Sequence, residues 1–188
     1  MADSTTLHGT CVSVDGEGVL LLGLPGAGKS DLALRLVDQP GLGIDGFLRV
    51  ARLVADDQVV ITRRGGDLQA SAPATLKGKL EIRGLGIAAL PAEEDVTLRL
   101  AVRLERSADI ERLPDLAGTR LDILGLGLPL VQIDPFAASA PARVRAAVAS
   151  AWVRPATSGT VTVAAGASVP SVGSVPAGSV PLVAVGDG

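Results

Sequence analysis

The chain has 188 residues, a formal net charge of −3 and 47% hydrophobic residues, yet only 2% aromatic ones. That length suits one ordinary domain with a proper core and some surplus, and the scatter of arginines leaves no basic stripe to hold a nucleic-acid partner. A single cysteine, Cys11, excludes an internal disulfide framework and a cysteine metal cage, and fits a reducing compartment.

Residues 1–6 are short, polar and carry Asp3, unlike the basic start and apolar core of a secretory signal. No uncharged apolar run reaches membrane-spanning length before the tail, so a soluble cytoplasmic protein without a membrane partner is expected. Residues 7–14 alternate loosely, 15–18 read as a turn, and 19–22 continue apolar. Together they predict a hairpin. It feeds directly into Gly23-Leu24-Pro25-Gly26-Ala27-Gly28-Lys29-Ser30, a GxxxxGKS phosphate-binding loop placed between a strand and a helix over 31–37. Its glycines let successive N–H groups point inward at phosphate oxygens. Lys29 suits the β and γ phosphates, the Ser30 hydroxyl suits Mg²⁺, and the helix N-terminus favours the same negative charge. The loop predicts binding of a nucleoside triphosphate.

Residues 53–57 and 59–63 read as short strands, with a turn over 64–67 returning the chain into 68–72. The cleanest period-2 segment is 96–105: Val96, Leu98, Leu100, Val102 and Leu104 alternate with Thr97, Arg99, Arg103 and Glu105. One face is expected to be core and the other solvent or partner. Residues 121–133 read as a strand interrupted by Gly125 and Gly127, and Pro141 opens a helix over 142–153. From residue 155 onward charge vanishes apart from Asp187, and Ser-Val-Pro recurs at 168–170, 174–176 and 179–181. A disordered low-complexity tail over 155–188 is expected, leaving 1–154 as the domain.

Three elements could face the phosphates. Asp56 and Asp57 end an apolar strand, a placement that suits holding Mg²⁺ or accepting a proton from an attacking hydroxyl. Neighbours on a strand face opposite ways, so both reach one site only if the strand is ending there. Leu80-Glu81-Ile82-Arg83-Gly84-Leu85-Gly86-Ile87 mixes a carboxylate, a guanidinium and two glycines in an apolar segment, which suggests a bend or close approach to a ligand. Glu81 is a candidate second metal-side carboxylate. His8, the sole histidine, reads on spacing alone as a satisfied polar residue of the hairpin.

His8-Gly9, the phosphate loop, Leu53-Val54-Ala55-Asp56-Asp57 and, above all, residues 80–87 together resemble the C-terminal catalytic domain of bacterial HPr kinase/phosphorylase, in a short form without the N-terminal domain of longer members. The resemblance runs from His8 to about Arg112 and is thinner over 119–153. It implies an α/β nucleotide-binding domain of the HPr kinase and phosphoenolpyruvate carboxykinase type, sheet-dominated with mixed strands. It also implies a serine kinase that uses ATP and Mg²⁺ on the phosphocarrier HPr, with a homo-oligomer compatible with longer members. Carried over residue by residue, Lys29 contacts the phosphates, Ser30 and Glu81 serve the metal with Asp56 as helper, and Asp57 is the base. His8 matches the family's active-site histidine and Arg112 its distal arginine, which neutralises charge on the transferred group. The basic, glycine-containing segment that the family links to dephosphorylation has no match in 132–145, so phosphorolysis stays open. Two other readings stay open as well: a nucleotide-dependent regulatory module without kinase activity, and a kinase of a small metabolite.

Overall fold

The computed structural model describes residues 3–44, 46–115 and 118–150, so the tail expected over 155–188 lies outside the described residues. In chain order the elements begin with strands β1 (Ser4–His8), β2 (Thr10–Val14) and β3 (Glu17–Leu22), helix α1 (Lys29–Asp38), and the short strands β4 (Gly41–Leu42) and β5 (Leu48–Arg49). Strands β6 (Ala51–Ala55), β7 (Gln58–Arg64), β8 (Asp67–Ser71), β9 (Lys79–Ile82), β10 (Gly86–Ala89) and β11 (Val96–Leu104) follow. A single 3-10 turn at Ser107–Asp109, strands β12 (Arg120–Ile123) and β13 (Leu126–Ile133), and helix α2 (Ala140–Ala149) complete the described chain.

Nine strands share one mixed sheet, ordered β1-β7-β8-β11-β3-β2-β6, with β13 also on β11 and β12 on β13. β3, β11 and β13 run parallel, while β2 is antiparallel to both β3 and β6. Alternation along these strands fills two apolar layers. Val12, Val14, Val19 and Leu21 pack with Leu32 and Leu36 of α1 and with Val144 and Val148 of α2. Cys11, Leu20, Val54, Val59, Ile61, Leu98 and Leu130 form the layer on the other face. Each fully buried Leu or Val contributes about 1.5–3 kcal/mol of transfer free energy, which explains how a core almost without aromatics holds.

The expectation of one core face on β11 needs correction. The register against β3 shifts between Leu98 and Leu100. Val96 and Leu98 therefore fall in one apolar layer and Leu100, Val102 and Leu104 in the other, because an extra residue in a strand inverts every later side chain. The extra residue is Arg99, whose guanidinium pairs with Glu17 at 3.1 Å and Asp67 at 3.0 Å. Two other expected strands are each divided. Residues 7–14 break at Gly9, so that β1 pairs with β7 while β2 pairs with β3 and β6. Residues 121–133 turn at Leu124 and Gly125, both at positive φ, into the β12–β13 hairpin. The small β4–β5 hairpin is too short to leave a period in the sequence. Helix α2 begins at Ala140, two residues before the expected start, and 151–153 of its expected span lie outside the described residues.

Candidate active site

Strand register brings the motifs to one end of the sheet. Thr10 sits opposite Leu21 and Cys11 opposite Ala55, so the start of β2 and the ends of β3 and β6 lie side by side. The phosphate loop follows β3, Asp56 and Asp57 follow β6, and His8 closes β1 next to Thr10. These residues line a cleft of about 690 Å³ together with residues of β9 and the following turn.

The loop is shaped by its glycines and by the helix behind it. Gly26 and Gly28 take φ of +81° and +90°, the left-handed region that costs an L side chain about 1–2 kcal/mol. Gly28 is the N-cap of α1 and offers no side-chain cap, and the amides of Lys29 and Ser30 have no protein acceptor among the described residues. An uncapped helix N-terminus with unpaired amides suits phosphate oxygens. Lys29 continues the buried stripe of Leu32, Ala33 and Leu36, which turns it inward rather than to solvent. Its Nζ donates to the carbonyls of Gly23 at 2.9 Å and Leu24 at 3.1 Å, so the ammonium folds back over the loop.

The paired aspartates resolve differently from a regular strand end. β6 finishes at Ala55, and Asp57 takes φ +65°, a conformation that aspartate tolerates better than most residues. The backbone reversal lets both carboxylates reach the cleft. Asp56 is buried: one oxygen accepts from Thr10 Oγ1 at 2.7 Å and Ser30 Oγ at 2.9 Å, and the other from the Glu81 amide at 3.3 Å. Asp57 is exposed, its carboxylate 3.1 Å from His8 Nδ1, while its carbonyl accepts from the Gly9 amide at 3.2 Å. His8 is thus more than a satisfied hairpin residue. Its Nδ1 also lies 3.0 Å from the Asp57 carbonyl, so its ring is oriented by the residue it faces.

The segment 80–87 forms the β9–β10 hairpin, closed by the Leu85 amide donating to the Ile82 carbonyl at 2.9 Å. Leu80 is fully buried, so Lys79 and Glu81 share the other face of β9, and they line the cleft with Ile82 and with Arg83 of the following turn. Arg112 is not brought there: it lies exposed after the 3-10 turn, outside the lining residues. Lys79, Thr10 and Phe136 are cleft residues that sequence reasoning missed. For Lys79 the signal was present, as the alternation of 79, 81 and 83 about an apolar Leu80; for Thr10 and Phe136 only the register of β2 and the chain path after β13 reveal it.

Ser30 and Asp56 present a hydroxyl and a carboxylate 2.9 Å apart beside the loop, a donor set that fits Mg²⁺, a cation that keeps most of its other ligands as water and phosphate oxygens. Among the described residues no group of three or more His, Cys, Asp or Glu could hold a metal ion.

Residues 1–157 match the family model described as the HPr serine kinase C-terminal domain. The chain belongs to that family. The HPr kinase/phosphorylase of Cupriavidus metallidurans is 37% identical over 142 residues, 70% of this chain and 41% of that protein. The HPr kinase/phosphorylase of Caldanaerobacter subterraneus subsp. tengcongensis is 49% identical over 88 residues, 46% of this chain and 26% of that protein. The Hpr(Ser) kinase/phosphatase structure from Coxiella burnetii shares the fold, with a TM-score of 0.62 at 23% identity over 75% of this chain and 91% of that one. The chain spans about two fifths of the length of the Cupriavidus relative. The HPr kinase fold implied by the resemblance over residues 8–112 is therefore the fold observed. No helix among the described residues is long and apolar enough to cross a membrane.

Proposed function

We propose that this chain is a cytoplasmic, ATP-dependent kinase that phosphorylates a serine of HPr or an HPr-like phosphocarrier. The observation that carries this reading is the convergence of Lys29, the Ser30–Asp56 pair, the Asp57–His8 pair and Glu81 on one cleft. In this reading the loop amides and the positive end of α1 take the phosphates, and Lys29 exchanges two neutral carbonyls for charged oxygens, a stronger partnership. Ser30 and Asp56, with Glu81, would hold Mg²⁺, which would supply neutralisation of charge on the phosphates.

Asp57 accepts the proton of the acceptor serine as its oxygen attacks. Its exposure leaves room for an incoming hydroxyl, and His8 fixes the orientation of its carboxylate. Lys79 and Arg83 supply from the hairpin the cationic charge that the resemblance implied for Arg112. Phosphoryl transfer of this kind requires little covalent work from the protein, so positioning and charge neutralisation carry the rate. In phosphorolysis inorganic phosphate would attack the seryl phosphate to form pyrophosphate, and the protonated Asp57 carboxyl would return its proton to the departing serine oxygen. The relatives named kinase/phosphorylase favour testing that direction too.

The test mixes the chain, Mg-ATP and HPr and reads the modified residue by mass spectrometry. Phosphate on an HPr serine supports the reading. Tight ATP binding without any labelled protein selects the regulatory module instead, and phosphate on a metabolite alone selects a small-molecule kinase.

A further inference from the structure

Phe136 is one of two phenylalanines in a chain that has no tyrosine and one tryptophan, and it stands 72% exposed at the mouth of the cleft. Burial therefore does not explain it. Its ring lies against the phosphate loop: a Cβ built on Gly28 would meet its Cζ at 3.3 Å and Cε1 at 3.4 Å. The backbone beneath the ring is braced from three directions. The Phe136 amide donates to Asp134 Oδ1 at 2.9 Å, the Ser107 amide donates to Asp134 Oδ2 at 3.2 Å, and Arg35 of α1 donates to the Pro135 carbonyl. Arg35 is itself held by Asp31, which lines the cleft one turn earlier on α1. Pro25 and Leu34 add apolar surface to the same cleft.

We propose that Phe136 is the stacking platform for the nucleobase, with its ring held beside the phosphate loop by the Asp134–Ser107 and Arg35–Pro135 contacts. The proposal rests on the nucleotide reading above and extends it from the phosphates to the base. A flat π-face beside an anion cradle suits a ligand with a planar ring at one end and phosphates at the other. Stacking tolerates any purine, because every base has such a face. The platform thus holds ATP and GTP alike, and it leaves a base-free polyphosphate indifferent to the ring.

The test measures affinities of the full chain for Mg-ATP and Mg-tripolyphosphate by calorimetry, for the native protein, Phe136→Ala and Phe136→Tyr. Phe136→Ala should weaken ATP at least about fivefold, leave tripolyphosphate unchanged, and be rescued by Phe136→Tyr. The exposed position lets each variant keep its fold, which a thermal melt checks. Unchanged ATP affinity in Phe136→Ala overturns the platform, and so does an equal loss of ATP and tripolyphosphate, since the ring would then act through the loop. A native chain that binds neither ligand overturns the nucleotide reading itself and the platform with it.

Discussion

Substituting the two left-handed glycines of the loop separates backbone strain from contact with the neighbouring ring. Gly26 has φ +81° and open space where a Cβ would point, whereas Gly28 has φ +90° and would place its Cβ 3.3 Å from Phe136 and 3.4 Å from Pro135. Gly26→Ala should cost only the left-handed penalty, about 1–2 kcal/mol. At roughly 2–4 °C per kcal/mol for a domain of this size, the melting midpoint falls by about 2–8 °C. Gly28→Ala should fall by as much or slightly more, because the new methyl group also presses on the Phe136 ring and Pro135. Ligand protection separates the two further. At about 100 times its Kd, a nucleotide stabilises by about 2.7 kcal/mol, so the native midpoint should rise by roughly 5–11 °C. Gly28→Ala should lose most of that rise, since the substitution sits at the N-cap whose following amides would hold the phosphates. Thermal unfolding with and without Mg-ATP is the assay. A Gly28→Ala protein that melts within about 1 °C of the native chain and keeps the full rise would refute the reasoning.

Asp57→Asn should keep the fold, because asparagine also tolerates the left-handed conformation, and should keep ATP affinity while lowering transfer to HPr by about 100-fold or more in a single-turnover assay. Leu100→Ala, in the fully buried part of β11, should destabilise by about 2–5 kcal/mol in urea unfolding. Cys11 lies fully buried between Leu20 and Ala55, and burial pushes its thiol far above the usual range; a thiol reagent should label it only as fast as the domain opens, and rapid native labelling would contradict that burial. The Ser107 hydroxyl, with the Phe136 amide, holds the Asp134 carboxyl below its ordinary range. A depressed folded value means that this contribution is complete above the ordinary aspartate range and is lost as pH falls through the folded value. Ser107→Ala should therefore shift acid unfolding to higher pH, and superimposable acid curves would count against it.

The phosphate loop was legible because its chemistry is local: eight consecutive residues specify turn, cation and helix start together. The hairpin at 79–89 was half legible, since the glycines announced a bend but not that Lys79, Glu81 and Arg83 would line one cleft. Asp56 and Asp57 were legible as a pair, while the reversal at Asp57 that lets both face the cleft depends on its positive φ, which no spacing encodes. The inversion along β11 was hidden for a similar reason. Its apolar residues keep perfect alternation, and the extra residue, Arg99, shows only in the register against β3, where it pairs with Glu17 and Asp67. Arg112 was carried over by similarity alone, and it stands exposed after the 3-10 turn, outside the residues that line the cleft.

The most direct measurement is mass spectrometry of HPr after incubation with the chain and Mg-ATP, with Asp57→Asn alongside. The account predicts one phosphoryl group on a serine of HPr with the native chain and none with the variant. Equal phosphorylation by both proteins would contradict the assignment of Asp57, and an unmodified HPr in the presence of bound ATP would contradict the kinase.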